Sequence, residues 1–289
     1  MSHSAEISRS NPTAFVFVID QSGSMADAMP GSDPPKRKCD AVADSVNSLL
    51  RNISLRCARE DGVRDYFYVG VIGYGATVGS AFGGALSGRE LVPLSELANA
   101  PASVEERSKK IDDGAGGLVE QKTKFPIWFQ PQANGGTPMT QALKLAHQWI
   151  ETWVGLHPSS RPPIIIHITD GESTDSQDPN EANRMVSDAM NSLTSITSAD
   201  GSPLLFNVHV SNKSSGQPIA FPADESRLSD EYSRMLFHGA SCLTEDMLSV
   251  ANKEHNLGLH EGSKAFVLNG ELTLVVQAID IGTRASNLR

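Results

Sequence analysis

The sequence predicts an α/β fold: a doubly wound, mostly parallel central sheet with helices on both faces. Three observations carry that expectation. Residues 14–19 form a continuous apolar, β-branched and aromatic run, and residues 164–168 a second such run broken only by His167, which suits strands buried on both faces rather than half-solvated ones. Segments of this kind alternate with segments of helical period along the whole chain, the pattern of a sheet covered by crossover helices. Both runs end in an aspartate, Asp20 and Asp170, at the carboxyl end of a strand, where open α/β sheets place their ligands.

The elements follow in order. The strand over 14–19 leads into a polar loop that the prolines at 30, 34 and 35 keep irregular. Val42, Val46, Leu49, Leu50 and Ile53 then recur at helical spacing, marking an amphipathic helix over about 38–58. Residues 66–72 read as the next strand, 73–88 as an irregular glycine-rich hairpin and 91–94 as a short extended piece. A helix interrupted at Pro101 is expected over 95–112, and an extended segment over 125–129.

Thr137 and Pro138 open a helix, with threonine suited to the cap and proline to the first turn. Its buried stripe is Met139, Ala142, Leu143, Ala146, Ile150 and Val154. The strand over 162–169 follows. Then come a helix over 180–198, a strand over 204–210 and a proline-containing loop over 211–230. A helix over 243–254, a strand over 264–268 and a helix over 270–281 complete the chain. With 289 residues, 39% of them hydrophobic, the chain reads as one large domain, with a core over about 14–210 and an extension over 211–289 that packs on or completes it.

Composition excludes several partners. The 34 acidic residues outnumber the 24 basic ones, for a formal charge of -10, which argues against nucleic acid and anionic membranes. The densest basic stretch, Lys36-Arg37-Lys38, reads as a solvated loop. The three cysteines are odd in number and lack CxxC spacing, as expected of free thiols in a reducing cytoplasm. The first apolar run, six residues long, is too short for a signal core or a membrane span.

The chemistry concentrates at the strand ends. Asp20-x-Ser22-x-Ser24 lets one loop turn three oxygens inward, with Gly23 freeing the turn between the serines. Asp170 arrives on the second buried strand, and Thr137 at a helix start can share the same edge. Donors that are all oxygen suit a hard cation such as Mg²⁺, Ca²⁺ or Mn²⁺. Five such donors leave a six-coordinate ion at least one open position. An acidic residue of a partner could fill it.

These residues also carry a resemblance. Asp20-Gln21-Ser22-Gly23-Ser24-Met25, Gly135-Gly136-Thr137-Pro138-Met139 and Ile168-Thr169-Asp170-Gly171 resemble, in order, the three parts of the metal-ion-dependent adhesion site of von Willebrand factor A domains. The resemblance implies direct ligation by Ser22, Ser24 and Thr137, and ligation by Asp20 and Asp170 directly or through water. It implies a metal-dependent protein-binding module rather than an enzyme, with Mg²⁺ foremost among the ions. Phe125-Pro126-Ile127-Trp128-Phe129, residues 168–174, 232–237 and 266–269, and Ile279 to Arg284 are similar to a bacterial cytoplasmic subgroup of tellurite-resistance type. Those proteins accompany kinases and phosphatases in stress or defence systems. One departure is the insert at residues 30–35, which delays the first helix and bears on the rim of the site.

Other readings compete. A Mg²⁺-dependent phosphohydrolase also uses a strand-end aspartate, but it usually carries a second acid two residues on. Here Ser22 stands there, no lysine or histidine is evident beside Asp20, and no phosphate loop of the GxxxxGK[ST] type occurs. A subunit of an ATPase-driven complex differs in its partner, not in its site. Glu172 reads as a solvated loop residue or an outer acid of the site, while His147 and His167 read as structural histidines. Trp128, Trp149 and Trp153 read as core or partly covered, and Asp27, Asp33 and Asp40 as solvated.

Overall fold

β1 (Thr13–Asp20) is buried at every position, as its unbroken apolar run requires. The structure, a computed structural model, describes residues 3, 5–112, 118–210 and 217–284. After β1 come α1 (Lys38–Arg56), a small ribbon of β2 (Ala58–Arg59) and β3 (Gly62–Val63), then β4 (Phe67–Tyr74). β5 (Val78–Ser80) and β6 (Val92–Pro93) both pair antiparallel with β4, and α2 (Leu94–Asn99) follows. A second ribbon, β7 (Ser103–Asp112) with β8 (Leu118–Ile127), precedes α3 (Met139–Leu156), β9 (Ile164–Thr169) and α4 (Pro179–Ser195). The chain continues through β10 (Leu204–Val210), β11 (Ile219–Ala220), α5 (Glu231–Gly239), α6 (Glu245–His255), β12 (Phe266–Gly270) and α7 (Leu272–Thr283).

Among the described residues the main sheet runs β11-β12-β10-β9-β1-β4-β5, with β6 also on β4. β12, β10, β9, β1 and β4 are mutually parallel, and β11, β5 and β6 are antiparallel additions. This is the doubly wound α/β sheet the sequence predicts. β1 has β4 on one side and β9 on the other, so the strand order reverses between β1 and β9. That is the switch point where such sheets open a crevice at their carboxyl ends. The register Ile19↔Ile168 sets Asp20 beside Thr169 at the mouth of that crevice.

Side-chain alternation along β1 divides the core into two layers. Phe15, Phe17 and Ile19 pack with Val46, Leu50 and Ile53 of α1, Val250 of α6 and Val275 and Ile279 of α7. Ala14, Val16 and Val18 pack with Leu143 and Ile150 of α3, Val186 and Leu193 of α4 and Leu236 of α5. Helices therefore cover both faces. β12 and α7, from the segment beyond 210, contribute to the same sheet and core.

Three elements depart from the expectations here. Residues 103–112, expected as part of a helix, form β7, paired with β8 from Ser103↔Ile127 to Asp112↔Leu118. Glu, Arg and Lys favour a helix over 103–112 by only a few tenths of a kcal/mol each. The ladder to 118–127, together with Arg107, outweighs that preference: its guanidinium lies 3.6 Å from the Phe125 ring centre and bonds Asp44 of α1 at 2.7 Å. α5 was not marked by periodicity. Its start is capped by Asp230, which accepts from the Ser233 N–H at 2.7 Å. The expected loop over 211–230 also holds the short strand β11, while 211–216 lie outside the described residues.

Trp128, Trp149 and Trp153 are all core residues. Asn47, fully buried on α1, clamps the end of β8. Its Nδ2 donates to the Phe129 carbonyl at 3.1 Å, and its Oδ1 accepts from the Trp128 N–H at 2.9 Å. Asn47→Ala strands both backbone groups, so a loss of about 2 kcal/mol is expected in urea unfolding. A stability change below a few tenths would show that the clamp is not needed. Cys39, Cys57 and Cys242 are free thiols, and no described helix is long and apolar enough to cross a membrane.

Candidate metal centre

Asp20 ends β1 with its side chain sealed from solvent. Its Oδ1 accepts from the Ser22 N–H at 2.8 Å and its Oδ2 from the Thr169 hydroxyl at 3.0 Å. The chain then turns through a short 3-10 segment, Gly23–Ala26. Ser22 Oγ lies 3.1 Å from Ser24 Oγ, and Ser24 Oγ donates to Asp170 Oδ1 at 2.7 Å. Four of the five expected site residues are thus joined in one hydrogen-bonded cluster.

The fifth stands on an adjoining loop. Gly23 N–H donates to the Gly135 carbonyl at 3.0 Å, and Asn134 N–H donates to the Gln21 carbonyl at 2.7 Å. This contact depends on missing side chains. A Cβ on Gly75 would lie 2.6 Å from the carbonyl oxygens of Gln21 and Asn134. Gly135, at φ +87, would put one 2.4 Å from the Ala76 nitrogen. Thr137 is buried, but among the described residues its hydroxyl bonds none of the other four. Nor does it cap α3, which corrects the expectation. Pro138 occupies the cap position, and Asp175 from the loop after β9 accepts the Thr140 N–H at 2.7 Å. The Thr137 N–H is taken by the Thr174 hydroxyl at 2.8 Å.

The largest departure is Lys38. In the basic triplet, Lys36 and Arg37 are exposed and pair with Asp44 and Asp40, as a solvated loop would. Lys38 is 1% exposed, and its Nζ lies 2.7 Å from Asp170 Oδ2. The expectation of a triplet solvated throughout therefore fails at its third residue, the lysine buried against Asp170. Tyr232 of α5 was not foreseen either; its hydroxyl donates to the Gly171 carbonyl at 2.5 Å and steadies the turn after Asp170. Burial pushes that hydroxyl well above the ordinary tyrosine range, so it remains a donor. Asp27, Asp33 and Glu172 are exposed, Asp40 is half-buried against Arg37, and His147 is half-buried in a groove between α3 and α4.

Asp20 and Asp170 are joined here through the serines, and the one ammonium pairs with Asp170, leaving a formal excess of one negative charge. Asp20 bears it. Burial, with Asp170 adding, pushes its carboxyl from 3.8 up to about 6, against the pull of the Ser22 and Thr169 hydrogen bonds. The donor set fits a small hard cation. Around an octahedral ion with oxygens about 2.1 Å away, neighbouring ligands lie about 3 Å apart. The Ser22–Ser24 and Ser24–Asp170 oxygen pairs, at 3.1 and 2.7 Å, have that spacing. Lys38, paired with Asp170, competes with such an ion for this ligand set.

No protein-family model matches the chain, and no curated protein does. Among solved structures, it is similar to the vWF domain of the type V pili tip protein Mfa5 from Porphyromonas gingivalis. That likeness has a TM-score of 0.32 and 14% identity, and covers 56% of this chain and 39% of that one. A structure of the three N-terminal domains of the same pili tip protein matches at 0.30 and 16%, over 56% and 20%. Proximal thread matrix protein 1 from the mussel byssus matches at 0.35 and 13%, over 69% and 38%. The chain spans less than two-fifths of the length of each of these structures. At such scores the fold rests on the strand order itself, which is that of a doubly wound α/β sheet.

Proposed function

We propose that this chain is a von Willebrand factor A-type module that binds one divalent cation, Mg²⁺ foremost, and uses it to grip an acidic residue of a partner protein. The observation that carries this reading is the contiguous set of Ser22, Ser24 and Asp170 oxygens beside the sealed, uncompensated carboxylate of Asp20, at the switch point of the sheet. Ser22, Ser24 and Asp170 would hold the ion. Asp20 would act through the Ser22 amide it anchors or through water, and Thr137 would act from the adjoining loop. When bound, the ion supplies a Lewis-acidic position for an incoming carboxylate.

A binder is favoured over a phosphohydrolase because Asp20 has both oxygens engaged and no exposure, so it cannot reach a phosphoester as a nucleophile. The reading extends to an adaptor in a bacterial cytoplasmic stress, defence or phospho-signalling system, with kinase, phosphatase or ATPase components as candidate partners. Mn²⁺ and Ca²⁺ suit the same oxygens.

Calorimetric titration of Mn²⁺ tests the assignment. One site per chain is expected, with Ser22→Ala and Ser24→Ala each weakening it at least tenfold, about 1.4 kcal/mol. Circular dichroism should show both variants folded. An isotherm unchanged in both would place the ion elsewhere.

A further inference from the structure

α1 begins with a residue that its position disfavours. Lys38 is the first helical residue, where free N–H groups and the helix dipole repel a cation. It is also almost wholly buried, as is its partner: the Lys38 and Asp170 side chains are 1% and 0% exposed. Buried lysines are rare unless paired, and a buried pair gains little over apolar packing, so stability alone is a poor reason for this one.

The path of the chain shows how the pair is made. Residues 27–38 close on themselves through an Ala28↔Arg37 bridge, with Met29 N–H on the Lys36 carbonyl at 2.8 Å and Lys38 N–H on the Asp27 carbonyl at 2.9 Å. The proline-bearing insert is the tip of that closed loop, and its stem sets Lys38 against the metal-site aspartate. The tip in turn touches the start of α7, where Leu272 N–H donates to the Pro30 carbonyl at 3.2 Å.

We propose that Lys38 is a built-in counter-ion that occupies Asp170 in the metal-free protein and must withdraw before Asp170 can ligate a divalent cation. The proposal rests on the metal-binding reading above. Charge supports the exchange. Asp20, Asp170 and Lys38 together carry a formal charge of minus one, whereas the two carboxylates alone neutralise a divalent ion. Cation loading then displaces the ammonium and shifts the 27–38 loop at the rim of the site, so the surface offered to a partner differs between the loaded and empty states.

The test is titration of Mn²⁺ into the metal-stripped chain, its Lys38→Met variant and its Lys38→Gln variant. Gln keeps a donor for Asp170 and serves if the Met variant does not fold. Mn²⁺ is expected to bind at least tenfold more tightly to a folded variant than to the wild type, and to raise that variant's melting temperature by more. Amine labelling read by mass spectrometry should find Lys38 protected in the stripped wild type and reactive with Mn²⁺ bound. Equal or weaker Mn²⁺ binding in the variants, with the wild type binding, overturns the counter-ion and leaves the metal site standing. Lys38 still protected in the Mn²⁺-loaded wild type does the same. No Mn²⁺ binding by the wild type or by either folded variant overturns the metal site itself.

Discussion

Asp20→Asn is expected to abolish divalent-cation binding and, in EDTA, to make the protein more stable than the wild type. The carboxyl of Asp20 is raised from 3.8 to about 6 mainly by burial. A raised carboxyl favours the protonated folded state, so the burden of the buried charge is complete above pH 6. Two units at about 1.4 kcal/mol each put it near 3 kcal/mol at pH 7. Asparagine removes the charge and keeps one partner for each of the two atoms that the carboxylate bonded. Its carbonyl can accept from the Ser22 N–H, and its amide can donate to the Thr169 hydroxyl. That hydroxyl already lies 3.0 Å from the Gly171 carbonyl, to which it can turn its own proton. For a chain of this size the gain corresponds to a melting temperature about 4–8 °C higher. An unchanged or lower value in EDTA would show that the Asp20 charge is already compensated.

Asp170→Asn gives the opposite sign. It leaves the buried Lys38 ammonium without its carboxylate, and breaking one side of such a pair costs about 3–5 kcal/mol. The two aspartates look equivalent in the sequence, each at the end of a buried strand. Their surroundings separate them, since the single ammonium went to one of them.

That division marks how far the residues could be read without the structure. The runs over 14–19 and 164–168 betray central strands because a strand covered on both faces is apolar almost throughout, His167 being the one polar interruption and bonded at both ring nitrogens. Asp20, Ser22, Ser24 and Asp170 could be placed together because strand ends of a parallel sheet share one edge. Lys38 could not, because a basic triplet after a proline-rich loop looks solvated. Its burial depends on an aspartate 132 residues away and on a loop stem closed by backbone contacts. The cap of α3 failed for the same reason: Asp175 reaches Thr140 across 35 positions while the neighbouring threonine does not cap. The ribbon of β7 was hidden by side chains that favour a helix locally, and only its partner strand decides otherwise.

A second large effect lies in the sheet and has the opposite pH dependence. His167 on β9 is fully buried between Tyr74 and Asn207, with Tyr74 Oη 2.8 Å from Nε2 and Asn207 Oδ1 3.0 Å from Nδ1. The neutral ring completes this chain, accepting from the tyrosine and donating to the amide. Burial lowers its pKa from 6.5 to about 4, against the Asn207 hydrogen bond. The unfolded chain therefore takes up the proton first, so this stabilisation is whole above pH 6.5 and is lost as the pH falls towards 4. Two and a half units amount to about 3 kcal/mol. Asp20 runs the other way over nearly the same interval, because its folded state is protonated first and its burden lifts on acidification. In the metal-free wild type the two effects offset each other. Urea unfolding in EDTA at pH 7, 5.5 and 4 should separate them. The stability advantage of Asp20→Asn over the wild type should shrink from about 3 kcal/mol at pH 7 towards zero at pH 4. The deficit of His167→Gln, whose amide can both accept and donate in that chain, should narrow over the same steps, since the variant has no imidazole to protonate. A gap that stays constant with pH in either variant would remove that residue as the source of the effect.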